Sequence, residues 1–147
     1  MSFSMIFSIL VIAAIIAVAF YAITYFISLK SCTELGLFGR ELQDKIDEAW
    51  NADSVKTSFE QSVPSDIKKV CIGNIELASR ESEEWKVWRN YAERGNLFFY
   101  PPLDKCDVNY KKLNHVEITG FECLNVINGK AKIDLEKEVF DDLVKLS

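Results

Sequence analysis

The chain divides by its pattern of apolar and polar positions. From Met1 to Leu29 no residue is charged and most are apolar; Lys30 is the first charged side chain, and beyond it apolar and charged positions alternate. About 20 apolar residues cross the roughly 30 Å hydrocarbon layer of a bilayer. Helical residues 1–29, at about 1.5 Å each, would reach about 43 Å. The pattern predicts a transmembrane or filament-core helix over 1–29 and an α+β domain over 30–147. No Pro or Gly precedes Gly36, so the helix is expected to be uninterrupted from about Ile6 to Phe26.

Past Lys30 the period shortens to that of an amphipathic helix. Leu35, Phe38, Leu42, Ile46 and Trp50 recur every three or four residues among charged neighbours, and Ser31-Cys32-Thr33-Glu34 has the spacing of a capping box. This second helix either continues the apolar one or follows a break near Gly36 and Gly39. Asn51–Asp66 is polar and ends in a turn at Val63-Pro64-Ser65-Asp66. Ile67–Ile72 reads as a strand ended by Gly73-Asn74, and Glu81–Arg94 as a helix closed by Gly95. Leu97–Tyr100 reads as a strand ended by Pro101-Pro102, and Leu113–Ile118 as another. Phe121–Ile127, Asn128-Gly129 and Lys130–Lys137 form the strongest local signal, a hairpin around a type I′ turn. In its second arm Ala131, Ile133 and Leu135 face the core. Leu143–Leu146 adds a last short strand. The fold class is therefore a long N-terminal helix followed by one small α+β domain with an antiparallel sheet and two helices.

The N-terminal segment is not patterned as a secretory signal. It has no Lys or Arg before position 30, its apolar run is too long, and Tyr25-Phe26-Ile27 stands where small residues would precede cleavage. It is expected to stay attached to lipid. Tyr21 and Tyr25 suit an interfacial aromatic belt. Ala13, Ala14, Ala17, Ala19 and Ala22 suit either neutral lipid contact or close self-association of helices. Lys30, Arg40 and Lys45 on one flank, read by the positive-inside rule, put the domain in the cytoplasm.

The cysteines oppose that orientation. Cys32, Cys71, Cys106 and Cys123 all lie outside the apolar segment. An even number of widely spaced cysteines in a small domain suggests two disulfides and an oxidising compartment. Three connectivities are possible. Cys71 and Cys123 sit inside apolar strand-like runs, whereas Cys32 and Cys106 sit at segment boundaries. Like environments favour Cys71–Cys123 and Cys32–Cys106. We weigh the cysteines above the charge asymmetry and expect the domain outside the cytoplasm.

No catalytic, cofactor-binding or metal-ligating residue is expected. The one histidine, His115, has no partner announced by the sequence and is expected to be a surface or sheet residue. No Cys-x-x-Cys pair, Gly-x-Ser-x-Gly elbow or phosphate-cradling glycine loop occurs. Glu81, Glu83 and Glu84 read as a complement to a helix dipole rather than a cation site; Asp141-Asp142 carries the same two readings. A net charge of −5 with only isolated Lys-Lys pairs argues against nucleic acid. Trp85, Trp88 and Phe98-Phe99-Tyr100 read as core packing ahead of a binding groove.

Four stretches carry two resemblances. Met1-Ser2-Phe3-Ser4-Met5-Ile6-Phe7 with its long Ala/Ile-rich helix resembles the start of mature archaeal type IV pilin-like proteins. Asp66–Cys71, Asn96–Pro102 and Phe121–Cys123 are similar to a group of uncharacterised archaeal single-span membrane proteins. The pilin resemblance implies a helix that packs in a filament core or anchors the protein; this chain departs from it in having no Glu before Glu34. The expected function is a non-enzymatic, single-pass, membrane-anchored extracytoplasmic protein with a structural or interaction role, a pilin-like filament subunit being one form of it. Its expected partners are the lipid bilayer and further copies through the N-terminal helix. The alternative is a membrane-tethered enzyme or solute-binding domain, which a deep polar pocket gathering His115 and carboxylates would favour.

Overall fold

The computed structural model describes residues 2–147. Helix α1 runs over Phe3–Trp50. The chain forms two compact units, one ending at Ser31 and the other comprising Cys32–Ser147. In the first unit the large apolar side chains from Phe3 to Leu29 are exposed, and an 18-residue window reaches a mean hydropathy of 2.9 with none of it buried. By length and composition this helix is apolar enough to cross a membrane.

In the second unit α1 continues through Gly36 and Gly39 without a break. The capping-box reading of Ser31–Glu34 is thus corrected. Ser31 Oγ lies 3.3 Å from the Ile27 carbonyl one turn back, which is the bond of a residue inside a helix rather than at its start. From here the helix buries Leu35, Phe38, Gly39, Leu42, Ile46 and Ala49, one stripe at helical spacing.

Seven strands follow: β1 (Val55–Ser62), β2 (Lys69–Gly73), β3 (Leu97–Tyr100), β4 (Tyr110–Lys111), β5 (Phe121–Asn125), β6 (Lys130–Lys137) and β7 (Lys145–Leu146), with the short helix α2 (Glu83–Trp88) between β2 and β3. They make two sheets where one was expected. The first has the order β1-β6-β7 and the second β4-β3-β2-β5. All pairings within them are antiparallel.

The two sheets bury their strands differently. In β6 the expected alternation holds: Ala131, Ile133 and Leu135 are buried while the intervening charges are exposed. The second sheet is covered on both faces, so β2 and β3 read as unbroken apolar runs. Val70, Ile72, Leu97 and Phe99 join α1 and the first sheet in one core. Cys71 and Phe98 point the other way, into a smaller cluster with Ile75 and Trp88. Trp88 also packs edge-on to Tyr91 at 5.6 Å, and Tyr91 lies 5.0 Å from Tyr110. The aromatic concentration is thus packing between α2 and a sheet.

Several expected elements are corrected. β1 arises within Asn51–Asp66, which carried no strand reading; its single large inward residue, Phe59, gives little period-two signal, and its eight-residue pairing with β6 supplies the rest. The helix expected over Glu81–Arg94 is α2 alone, followed by a 3₁₀ turn at Arg89–Tyr91. Gly95 is no helix cap; a Cβ there would lie 3.1 Å from the Lys111 carbonyl of the neighbouring strand. Leu113–Ile118 makes only an isolated parallel bridge, Val116 to Val144. Asn96 bonds the Leu113 amide and carbonyl at 2.6 and 2.9 Å, and His115 turns the chain with φ 61°, so ladder pairing is replaced by side-chain bonds.

The Asn128-Gly129 turn has positive φ at both residues, as a type I′ turn requires. Its arms diverge after the Ile127–Lys130 bridge: β5 pairs with β2 and β6 with β1. Gly73 is the last residue of β2 and Asn74 caps the 3₁₀ turn Ile75–Leu77 that follows, as expected; Gly73 has φ 124° and a Cβ position that would run into the Gly120 carbonyl.

Phe38 connects the layers. Its ring meets Phe59 of the first sheet at 5.2 Å and Phe99 of the second at 5.4 Å, both edge to face. Phe38→Ala is expected to lower the stability of the domain by about 3–5 kcal/mol, measured by urea unfolding of the full chain in mild detergent. Arg40→Ala, on the exposed face of the same helix, should change it by less than about 0.5 kcal/mol.

Candidate functional site

The cysteines form two pairs at disulfide distance. Cys71 and Cys123 stand opposite each other in the β2–β5 register, with Cα atoms 4.0 Å apart. The Asn74 amide bonds the Gly120 carbonyl and the Val126 amide the Lys68 carbonyl, so hydrogen-bonded pairs fall on even-numbered residues and Cys71–Cys123 is a non-hydrogen-bonded pair. That is the closer of the two antiparallel positions. Cys71 is fully buried and Cys123 half-buried.

Cys32 and Cys106 have Cα atoms 5.3 Å apart and join residues 74 apart in sequence. The loop carrying Cys106 is shaped by Asn109, a buried side chain that the sequence reading did not single out. Its Nδ2 donates to the Leu103 carbonyl at 2.8 Å and the Cys106 carbonyl at 2.6 Å, and its Oδ1 accepts from the Leu103 amide at 2.8 Å. An asparagine between two short loops carries no pattern that announces this role. These are the two pairs that likeness of environment favours.

His115 lies beside the end of α1. Its Nδ1 is 2.9 Å from Asp47 Oδ1, and its ring stacks on Trp50 with centroids 3.8 Å apart and planes 3° from parallel. Gln43 completes the group: its Nε2 donates to Asp47 Oδ1 at 2.8 Å, and its Oε1 accepts from the Asn114 amide at 2.8 Å. The bond to His115 is the main cause holding the Asp47 carboxyl below its ordinary range. Trp50 Nε1 donates to the Asp142 carbonyl at 3.1 Å, and Lys137 Nζ donates to the Trp50 and Ala52 carbonyls at 2.8 Å each. Lys137 thus bonds an end carbonyl of the helix, as a cation near its negative pole does.

This arrangement aligns an imidazole with a carboxylate, and that is also what a general base requires. Here it joins α1 to the chain around Asn114. A cleft of about 350 Å³ lies elsewhere, lined by residues including Ile72, Glu117, Ile118, Phe121, Glu122 and Leu146; neither His115 nor Asp47 lines it. No group of three or more potential metal ligands occurs among the described residues.

The acidic residues of α2 have separate partners. Ser82 caps the helix, its Oγ accepting from the Trp85 amide at 3.2 Å. Glu83 pairs with Lys86 at 2.6 Å, and the buried Glu84 pairs with Lys69 of β2. Asp141 pairs with Lys145 and accepts from the Glu138 amide at 3.0 Å. Glu81 and Asp142 complete the acidic candidates; neither joins a common site with the others, and Asp142 contributes its carbonyl to Trp50.

Lys69 holds Glu84 below the usual carboxylate range, and Glu84 raises Lys69 above its own. The carboxylate's contribution to stability is therefore present above its unfolded value and lost as pH falls through the depressed folded value. The lysine's contribution is complete below its unfolded value and lost as pH rises through the raised one. Glu84→Gln is expected to flatten the acid limb of a stability-against-pH curve relative to the parent chain, measured by urea unfolding at successive pH values. An unchanged limb would show that Glu84 does not carry this linkage.

No protein-family model, curated protein or solved structure matches this chain.

Proposed function

We propose that this protein is a non-enzymatic, single-pass membrane protein whose α+β domain stands outside the cytoplasm in a structural or interaction role. The observation that carries the reading is the exposure of the large apolar side chains of α1 from Phe3 to Leu29. Exposed large apolar residues in such number are stable only against lipid or other apolar helices. The two cysteine pairs at disulfide distance support an oxidising compartment for the domain. The packing of the aromatic residues into a core, and the binding of His115 to Asp47 and Trp50, support a structural use for the groups that an enzyme would present in a pocket.

A pilin-like filament subunit is the narrower form of this role. Ala13, Ala14, Ala17 and Ala22 offer small surfaces through which such helices pack closely. Its archaeal setting rests on the sequence resemblance alone.

Removal of residues 1–31 is expected to move the chain from the membrane to the soluble fraction. Labelling of the unfolded, unreduced full chain should find no free thiol, and reduction should lower stability by roughly 2–4 kcal/mol per bridge. A truncated chain that still sediments with membranes would overturn the anchor. Four labelled thiols would overturn the disulfides and with them the argument for an outward domain.

A further inference from the structure

The second unit has two distinct ends. From Glu34 to Trp50 α1 rises about 24 Å at about 1.5 Å per residue, and β1 runs back alongside it. Phe59 meets Phe38, and Glu60, Gln61 and Ser62 line one groove with Glu34 and Leu37. Cys32 and Glu34 therefore mark one end of the unit and Trp50 the other. Three connections meet at the Cys32 end: residues 63–68 after β1, residues 101–109 with Cys106, and residues 126–129 between β5 and β6. Backbone bonds hold them side by side. The Val63 amide donates to the Gly129 carbonyl at 3.0 Å, the Lys68 amide to the Tyr100 carbonyl at 2.8 Å, and the Val126 amide to the Lys68 carbonyl at 2.9 Å.

Covalent length keeps this end close to where the uncharged run stops. Leu29 is the last residue of that run, and from it to Cys32 the chain extends at most about 11 Å at about 3.6 Å per residue. The Cys32 and Cys106 Cα atoms are 5.3 Å apart. With the apolar run in a bilayer, the Cys106 loop and its bonded neighbours stand within reach of the headgroup layer. What they display suits that layer. Val126, Ile127, Asn128 and Gly129 carry no charge. Ile127 is 69% exposed, and Val108 is exposed on the Cys106 loop. Ile127 is also fixed, its amide and carbonyl bonding Lys130 at 2.9 and 3.0 Å, so its insertion removes little conformational freedom. The exposed charges of these loops have both signs: Asp66, Asp104 and Asp107 against Lys68 and Lys105. They supply no net attraction to anionic lipid.

We infer that the Cys32 end of the domain rests on the bilayer, with Ile127 and Val108 inserted among the lipid headgroups as a lipid contact additional to the apolar helix. Val108 precedes β4 and Ile127 follows β5, the two edge strands of the second sheet. The two contacts thus stand roughly 14 Å apart at about 4.8 Å per strand, a footing that resists rocking of the domain. An apolar residue exposed alone needs no partner; these two are held beside lipid by the chain itself. The tether makes the contact intramolecular, so a contact too weak to recruit a free domain suffices. Phe140 and Val139, also exposed, belong to the Trp50 end, where the Asp142 carbonyl accepts from Trp50, and have no part in it. The inference rests on the anchor reading and adds to it a surface of the domain.

The test places the photo-cross-linker p-benzoylphenylalanine at residue 127, 108 or 140 of the full chain, one position at a time, in phosphatidylcholine vesicles. After irradiation, mass spectrometry is expected to find phospholipid adducts at residues 127 and 108 at least about tenfold above residue 140, as shallow insertion of one end requires. Adding anionic phosphatidylglycerol should change these yields by less than about twofold. With the probe at residue 108, Ile127→Asp should lower the yield several-fold, because a charge is costly to place among lipid chains. A yield at residue 127 no higher than at 140, adducts to a second copy in place of lipid, adducts that require anionic lipid, or an unchanged yield at 108 in Ile127→Asp would each overturn the inference. Retention on the vesicles is scored on the same samples. A retained chain without adducts at residue 127 fails this inference alone, whereas a chain that is not retained fails the anchor reading and this inference with it.

Discussion

Phe38 touches both sheets, and the rest of the domain is arranged around that contact. The ring lies edge to face with Phe59 on one side and Phe99 on the other. Leu35, Leu42, Ile46 and Ala49 extend the same stripe along the helix. The two sheets share little pairing of their own: between β5 and β6 the chain crosses from one to the other through the Asn128-Gly129 turn and a single bridge. Their common core is therefore closed by the helix. The same α1 that contributes an apolar, exposed stretch to one unit supplies the central element of the other.

The further bonds fix the ends of that element. Cys32, near the start of the buried stripe, is tied to Cys106. At the far end Trp50, Asp47 and Gln43 hold the chain around Asn114 and His115, and Lys137 bonds carbonyls at the helix terminus. The Cys71–Cys123 pair then fixes β5 to β2 within the second sheet. Polar groups with the chemistry for catalysis are thus used to hold one helix against two sheets. This is the physical content of the structural reading: the bonds converge on the fold.

Elements with their own local signal were legible in the sequence. The uncharged run before Lys30, the Leu35–Trp50 stripe, the Leu97–Tyr100 strand, the Asn128-Gly129 turn and the inward side of β6 each follow from period or turn chemistry. What was not legible depends on contacts distant in the chain. β1 has one large inward residue and is a strand because β6 lies beside it. Leu113–Ile118 has the composition of a strand, but Asn96 and Gln43 occupy its backbone groups. The hairpin pattern correctly located its turn and misplaced its arms, since nothing local says that β5 belongs with β2. Of the site residues, the cysteine pairs followed from likeness of environment, whereas the partners of His115 and the role of Asn109 exist only in the folded chain.

The central claim is that the second half of α1 is the closing element of the domain core and not a linker leading to it. Amide hydrogen exchange of the full chain in mild detergent tests this most directly. The account predicts that Leu42 and Ile46 exchange only through the opening that also exposes Val70 and Ile133, with opening free energies equal to within about 1 kcal/mol. Exchange at Leu42 and Ile46 several kcal/mol easier than at the two strands would contradict it, because the sheets would then hold together without the helix.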